Sequence, residues 1–387
     1  MTPAARVQTA IECLDRIAAG DPAERVLTRW ARGARHAGSK DRAAVRDLVF
    51  DVLRRWWSSA ARGDGETGRA RMIGYLHDTG AELEAVFTGA GYGPAPLEAG
   101  ERPTDAPIPE LAALDCPPTL ADKLRSSLGP DFAAVMQALR DRAPVFLRVN
   151  LSRTSRDSAR AALGAEDIET QDDDLSPSAL RVMKNARRVH LSKAFREGLI
   201  DLQDGASQAL VDALPLDGTT RVLDYCAGGG GKTLAMADRH RARYVAHDGI
   251  PGRMADLPER AKRAGQSVDV VDGGELLSQP PFDLVLVDAP CTGSGAWRRS
   301  PEGKIRADRA MLDDVRSLQA GILRDAAQHV AAGGSLAYAT CSLLDDENNR
   351  QVDEFLADVE GYRLNLTRTW TPIQGGDGFF LAVFTRC

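Results

Sequence analysis

The sequence predicts an α/β protein in which a doubly wound parallel sheet fills the C-terminal half, behind a small α+β subdomain and an all-α N-terminal domain. Three observations carry this reading. Residues 5–88 show helix-period apolar spacing without strand alternation. Five prolines and four glycines crowd residues 89–110, too many breakers for the interior of an element. From Arg221 onward, short runs that are apolar on both faces alternate with helical stretches, as in a parallel sheet covered on both sides. The expected division is 1–140 helical with a break near 89–110, 141–210 a small subdomain, and 211–387 the α/β domain.

Taken in order, Val45, Leu48, Val49, Val52 and Leu53 are spaced to share one helical face. Helical pattern resumes over Thr119–Arg142, and Pro144–Asn150 alternates like a strand. The runs 221–225, 244–248, 268–272, 283–289 and 335–340 are strand candidates, with helices starting near Lys232, Gly252 and Asp308. In a parallel sheet, ligands sit beyond the carboxyl ends of the strands. The polar residues at those ends are Asp224, Asp248, Asp272, Asp288 and Cys341.

A chain of 387 residues has room for two or three domains. With 43% hydrophobic and 27% charged residues it reads as globular, neither disordered nor fibrous. No apolar run approaches the roughly 18 residues of a membrane helix, and the N-terminus lacks the basic start and apolar run of a signal peptide. The expectation is a cytoplasmic monomer with no membrane partner. Six cysteines without any CxxC pair fit neither a disulfide framework nor a zinc ribbon, so free thiols and no metal are expected. The net charge of -6 excludes a protein coated in positive charge, yet two local clusters are basic. Residues 21–62 hold ten Lys/Arg against five Asp/Glu, and residues 179–198 hold six against one. Such clusters are often solvated helix faces, and by themselves they permit RNA binding without requiring it.

The segment Asp224-Tyr-Cys-Ala-Gly-Gly-Gly-Gly-Lys-Thr233 runs from a strand through four glycines into a helix. Glycines there let the backbone approach a ligand. A phosphate-binding P-loop needs glycine where Cys226 stands, so that reading fails. A dinucleotide fingerprint survives in part, since Gly228 and Gly230 match while Thr233 replaces the third glycine. S-adenosylmethionine is the third candidate: Lys232 could meet the methionine carboxylate, Asp248 the ribose hydroxyls and Asp272 the adenine. The acid serves NAD and S-adenosylmethionine equally well, so the remaining residues must decide.

Two further segments, Asp288-Ala-Pro-Cys-Thr-Gly-Ser-Gly295 and Ala339-Thr-Cys-Ser342, each set a cysteine just past an apolar strand. A single cysteine is usually a small core hydrophobe, but two at polar strand ends could share one crevice. Carbon 5 of cytosine is too weak a nucleophile to attack a methyl sulfonium until a thiolate adds at carbon 6. A carboxyl such as Asp288 would favour that addition at ring nitrogen N3. A second thiol would assist the later elimination.

These motifs, DYCAGGGGK, VLVDAPCTGSGAWRRSP and AYATCS in that order, resemble those of the Nol/Nop/Sun family of RNA (cytosine-5) methyltransferases. PVFLRVN, GLIDLQDGASQ and DGFFLAVF resemble supporting segments of the same family, so the likeness spans roughly residues 115–387. The resemblance implies a Rossmann-like S-adenosylmethionine-dependent methyltransferase sheet, with Cys341 as nucleophile, Cys291 aiding release and Asp288 at the reacting base. It implies cofactor contacts at Cys226, Ala227, Gly228, Gly229, Gly230, Gly231, Lys232, Asp248, Asp272 and Asp288. Two departures stand out. Gly228 and Gly229 occupy positions where the family usually has Ala and Pro, and Ser300–Ile305 stands where a Trp often follows. The N-terminal helices, with AGSKDRAAVRDLVFDVLRR, resemble the NusB-like RNA-binding domain of Sun-type ribosomal enzymes. That likeness implies small-subunit ribosomal RNA as the partner. A dehydrogenase would lack an intact fingerprint and an obvious proton-transfer histidine, and a bare RNA-binding module would leave the cysteine motifs without purpose.

Overall fold

A computed structural model describes residues 1–387 and divides them into two compact units. The first comprises Met1–Arg125, Gly129–Arg142 and, from far along the chain, Trp297–Arg309. The second comprises Ser126–Leu128, Ala143–Ala296 and Ala310–Cys387. No helix is long and apolar enough to cross a membrane.

The first unit contains helices and no strands. Helix Pro3–Ala18 starts where the Thr2 hydroxyl accepts from the Ala5 amide at 3.2 Å and proline occupies the first turn. Its Val7, Ala10, Ile11, Leu14 and Ile17 form one buried stripe, packed with Val45, Val49, Val52 and Leu53 of helix Ser39–Arg54 and Met72 and Ile73 of helix Gly68–Asp78. The breaker-rich segment forms no strand and only one short helix at its end, and it is tied to the helices. Arg69 grips Glu101 with two bonds of 2.7 Å, and Arg62 donates to the Thr104 and Ala106 carbonyls.

Two helix starts are capped from a distance. Helix Trp56–Arg62 has no cap of its own, and buried Asp115 accepts from the Trp57 and Ser58 amides at 3.0 and 2.9 Å while pairing with Arg140 at 2.7 Å. Helix Ala23–Gly33 begins at Pro22, which has no side chain to cap it; the Glu302 carboxylate accepts from the Ala23 amide at 3.0 Å instead. Glu302 belongs to the short helix Pro301–Arg306, the family-divergent segment of the sequence. In the same segment, fully buried Lys304 donates to the Arg54 carbonyl at 2.7 Å, and Arg54 donates to the Arg298 carbonyl at 2.6 Å.

The second unit holds two sheets. The smaller has strands β1 (Val145–Val149), β2 (Thr170–Asp172), β3 (Ala179–Val182) and β4 (Ile200–Leu202) in the antiparallel order β2-β3-β1-β4. Helix Arg156–Ala165 lays Ala159 and Leu163 against Leu147, Val149 and Leu180 of this sheet. The larger sheet contains β5 (Arg221–Asp224), β6 (Arg243–Ala246), β7 (Val268–Val270), β8 (Phe282–Asp288), β9 (Val330–Thr340), β10 (Tyr362–Trp370) and β11 (Phe379–Arg386). Its order is β10-β11-β9-β8-β5-β6-β7. Strands β9, β8, β5, β6 and β7 are parallel, as the sequence predicts. β10 and β11 extend the sheet antiparallel at the β9 edge, which the sequence reading does not anticipate. The strand order reverses between β5 and β8, so the crevice beyond their carboxyl ends is the natural ligand site.

The two sheets are joined by polar residues of the PVFLRVN strand. Arg148 is buried, pairs with Asp238 at 3.1 Å and donates to the Gly231 carbonyl at 3.0 Å. Asn150 donates to the Gly198 and Ala264 carbonyls at 3.1 and 2.9 Å. One strand of the small sheet therefore holds the base of the glycine-loop helix Gly231–Ala237.

Candidate active site

β5 ends at Asp224, and the chain turns through Tyr225–Gly230 into helix Gly231–Ala237. Gly230 has φ +75°, and a Cβ there would lie 2.1 Å from the Leu257 side chain, so only glycine lets the loop pass. Gly228, where the family usually carries Ala, also has positive φ (+50°). Asp248, just past β6, is buried; its two oxygens accept from the Gly228 and Ile250 amides, both at 2.9 Å, fixing loop and carboxylate together. Arg260 donates to the Gly229 carbonyl and pairs with Asp201 of β4 at 2.8 Å, a second tie from the small sheet to the loop. Cys226 and Ala227 line the turn half-buried, and burial pushes the Cys226 thiol far up. Asp272 lies apart from this cluster of bonds. It is exposed at the end of β7, where it caps helix Gly273–Leu277 by accepting from the Glu275 amide at 2.9 Å.

β8 and β9 run parallel with Asp288 opposite Ala339, so both strands end at the same level. The chain then carries Cys291 and Cys341 to face one another, their sulfurs 3.3 Å apart and both partly exposed. The Cys291 thiol is pushed well up by its hydrogen bond to Cys341 and by burial, with the negative charge of Cys341 and Glu347 adding to the effect.

Lys232 joins the loop to this pair. Its ammonium meets Asp288 at 2.6 Å and lies 5.0 Å from the centre of the Phe379 ring. Burial works against its charge, but Asp288, Cys341 and Asp224 together outweigh burial, and the ammonium is held above its ordinary range. Lys232, expected from the sequence to meet a ligand carboxylate, is bonded here to Asp288 of the protein. Asp224, beneath the loop, accepts from the Thr233 hydroxyl at 2.6 Å while its other oxygen has no partner. Burial pushes its carboxyl up to about 7.

The structure thus brings Cys291, Cys341, Asp288 and Lys232 to one point, and Gly228, Asp248 and their neighbours beside it. Sequence reasoning missed Arg148, Arg260, Phe379 and Glu347. For Arg148 a signal existed: a lone cation within an otherwise apolar strand is costly to bury without a partner.

Residues 211–384 match the family described as 16S rRNA methyltransferase RsmB/F, and residues 116–190 match the ferredoxin-like domain of RsmF/B-like methyltransferases. The ribosomal RNA small subunit methyltransferase B of Citrobacter koseri is 30% identical over 390 residues, covering 89% of this chain and 90% of its own. That of Escherichia coli is 30% identical over 393 residues with the same coverage. Among solved structures, PH0851 superposes with a TM-score of 0.78 at 21% identity over 99% of both chains. A methyltransferase homolog protein from Pyrococcus horikoshii gives 0.61 at 23% identity over 72% of this chain and 98% of its own, a likeness of fold. With a relative at 30% identity along nearly its whole length and both of its C-terminal domains matched, the chain belongs to the RsmB/F family of 16S ribosomal RNA methyltransferases.

Proposed function

We propose that this protein transfers a methyl group from S-adenosylmethionine to carbon 5 of a cytosine in small-subunit ribosomal RNA, through a bond between Cys341 and carbon 6 that Cys291 helps to break. The observation that carries the reading is the pair of thiols 3.3 Å apart beside the Lys232–Asp288 ion pair. The loop residues Cys226–Lys232 with Asp248, and Asp272 at the neighbouring strand end, would hold the cofactor. The left-handed glycines and the unpartnered oxygen of buried Asp224 fit a polar ligand lying close against the backbone. When bound, the cofactor supplies an electrophilic methyl group.

The chain's own residues do the rest. The carboxyl of Asp288, paired with Lys232, gives a proton to ring nitrogen N3 as the thiolate adds, which draws electrons from carbon 6, and takes it back when the base is released. The Cys341 thiolate adds there, which makes carbon 5 enamine-like and able to take the methyl group. Once a water molecule takes the carbon 5 proton, the C–H electrons form the C5–C6 double bond, the Cys341–C6 bond breaks and its electrons return to sulfur. The Cys291 thiol, donating to that sulfur, stabilises the departing thiolate. The helical N-terminal region and the small β1–β4 subdomain are the RNA-holding parts in this reading. Arg32, Arg42 and Arg46 line a cavity of about 510 Å³ with Trp30, a basic surface that suits a phosphate backbone.

The test separates the cysteines, which act on opposite sides of one covalent intermediate. Cys341→Ala should abolish methylation and give no protein–RNA adduct. Cys291→Ala should accumulate an adduct that survives denaturing electrophoresis, and the double variant should give none. An adduct from Cys341→Ala alone would reverse the roles. Full activity in both variants would remove the covalent mechanism altogether.

A further inference from the structure

Glu347 has no exposed surface and no cation paired with it, yet it is the most heavily bonded carboxylate near the cysteines. Its Oε1 accepts from the Thr292 amide at 2.9 Å and from the Gln319 amide group at 3.0 Å. Its Oε2 accepts from the Thr292 hydroxyl at 2.6 Å and from the Ser342 hydroxyl. Thr292 is the residue after Cys291, and Ser342 is the residue after Cys341. One buried carboxylate therefore grips the positions following both thiols, although the loops that carry them leave different strands. The carbonyl of Glu347 accepts from the Tyr338 hydroxyl of β9 at 2.8 Å, which sets its height relative to the strand.

The next residue completes the grip. Asn348 accepts from the Thr340 hydroxyl at 2.7 Å and donates to the Ser342 carbonyl at 3.0 Å, so it holds the residues on either side of Cys341. A buried carboxylate without a cation is costly and persists only where donors replace its water. Here four donors do so, and three of them come from residues adjacent to the cysteines. The same negative charge is among the causes that push the Cys291 thiol up.

We propose that Glu347 is a positioning residue that sets the distance between Cys291 and Cys341 by holding Thr292 and Ser342 in one register. The inference rests on the two-cysteine reading above for its consequence in catalysis, but its geometry can be measured without catalysis. Treating the full-length protein with diamide forms a Cys291–Cys341 disulfide: the diazene takes up both thiol hydrogens, becoming a hydrazine as the S–S bond forms. The rate of that bond, read by peptide mass mapping, reports how closely the sulfurs are held.

Glu347→Gln preserves shape and removes charge. The variant should bind S-adenosylhomocysteine as the parent does, while forming the disulfide roughly tenfold or more slowly. Its kcat should fall with KM for RNA unchanged, and iodoacetamide should alkylate its Cys291 at lower pH than in the parent. A parental disulfide rate together with a parental alkylation profile would overturn the proposal. Should Glu347→Gln fail to fold, Thr292→Val removes one hydroxyl arm and leaves the carboxylate; an unchanged disulfide rate there would overturn it equally. Activity surviving in Cys341→Ala would instead remove the two-cysteine reading, with the disulfide rate still deciding the role of Glu347.

Discussion

Asp224 lies beneath the glycine loop with one oxygen bonded to Thr233 and the other unpartnered, and burial lifts its carboxyl from 3.8 to about 7. The folded chain therefore keeps this proton across a pH range in which the unfolded chain has already released it. Stability from this group is complete in acid and declines as pH rises from the unfolded value towards 7. Asp224→Asn removes the titration. The melting temperature of the variant should gain on that of the parent between about pH 4 and pH 7, as measured by calorimetry, by an amount worth a few kcal/mol. A constant difference across that range would contradict the assignment. At this scale the sequence displays the chemistry-bearing types wherever they end or follow a strand: Cys291, Cys341, Asp288 and Asp248 all do. Glu347 does not. It ends the run Asp345-Asp346-Glu347, which by composition reads as a solvated acidic turn, and only the hydroxyls of two distant loops turn it into a buried clamp.

The glycine loop works as a unit because its shape is fixed from behind by Leu257, from the side by Asp248 and from the small sheet by Arg260. Leu257 is fully buried and cannot swing aside. Gly230→Ala should therefore force both strain at φ +75° and a clash, destabilising the protein by about 1–3 kcal/mol. Affinity for S-adenosylhomocysteine, measured by titration calorimetry, should fall with it; an unchanged affinity would show that the loop relaxes without cost. The five parallel strands are legible because both their faces are apolar. β10 is not, since six of its nine residues are exposed and a bulge between Leu364 and Leu366 interrupts its alternation. An edge strand with one wet face carries little of the signal on which such reading depends.

Across the whole molecule, the helical unit is assembled from pieces remote in sequence. Trp297 and Lys304 are buried within it, Glu302 caps one of its helices, and Arg54 and Lys304 exchange bonds with each other's segments. A fragment ending at Arg142 keeps Arg54 but lacks Trp297, Glu302 and Lys304. Losing Trp297 alone should cost about 3–5 kcal/mol, so the fragment should melt well below the same unit in the full chain. A synthetic peptide spanning Trp297–Arg309 should raise its melting temperature in proportion to the logarithm of peptide concentration. A melting temperature indifferent to the peptide would mean that the segment is only a passenger. Nothing local in the sequence announces this exchange. Lysine is among the residues least expected in a core, and Ser300–Ile305 reads as a surface stretch until the Arg54 carbonyl is seen to receive Lys304.

The same exchange imposes an order of events during synthesis. Domains usually fold as the ribosome releases them, the N-terminal one first. Here the first 142 residues emerge without the strand of chain that plugs their core, and the last of it, Arg309, is still to be made. At translation speeds of about 5–20 residues per second the nascent helices wait on the order of ten seconds or more with that gap open. The helical unit closes only when the segment following Cys291 has been read, so its completion is timed to the appearance of the catalytic half of the chain.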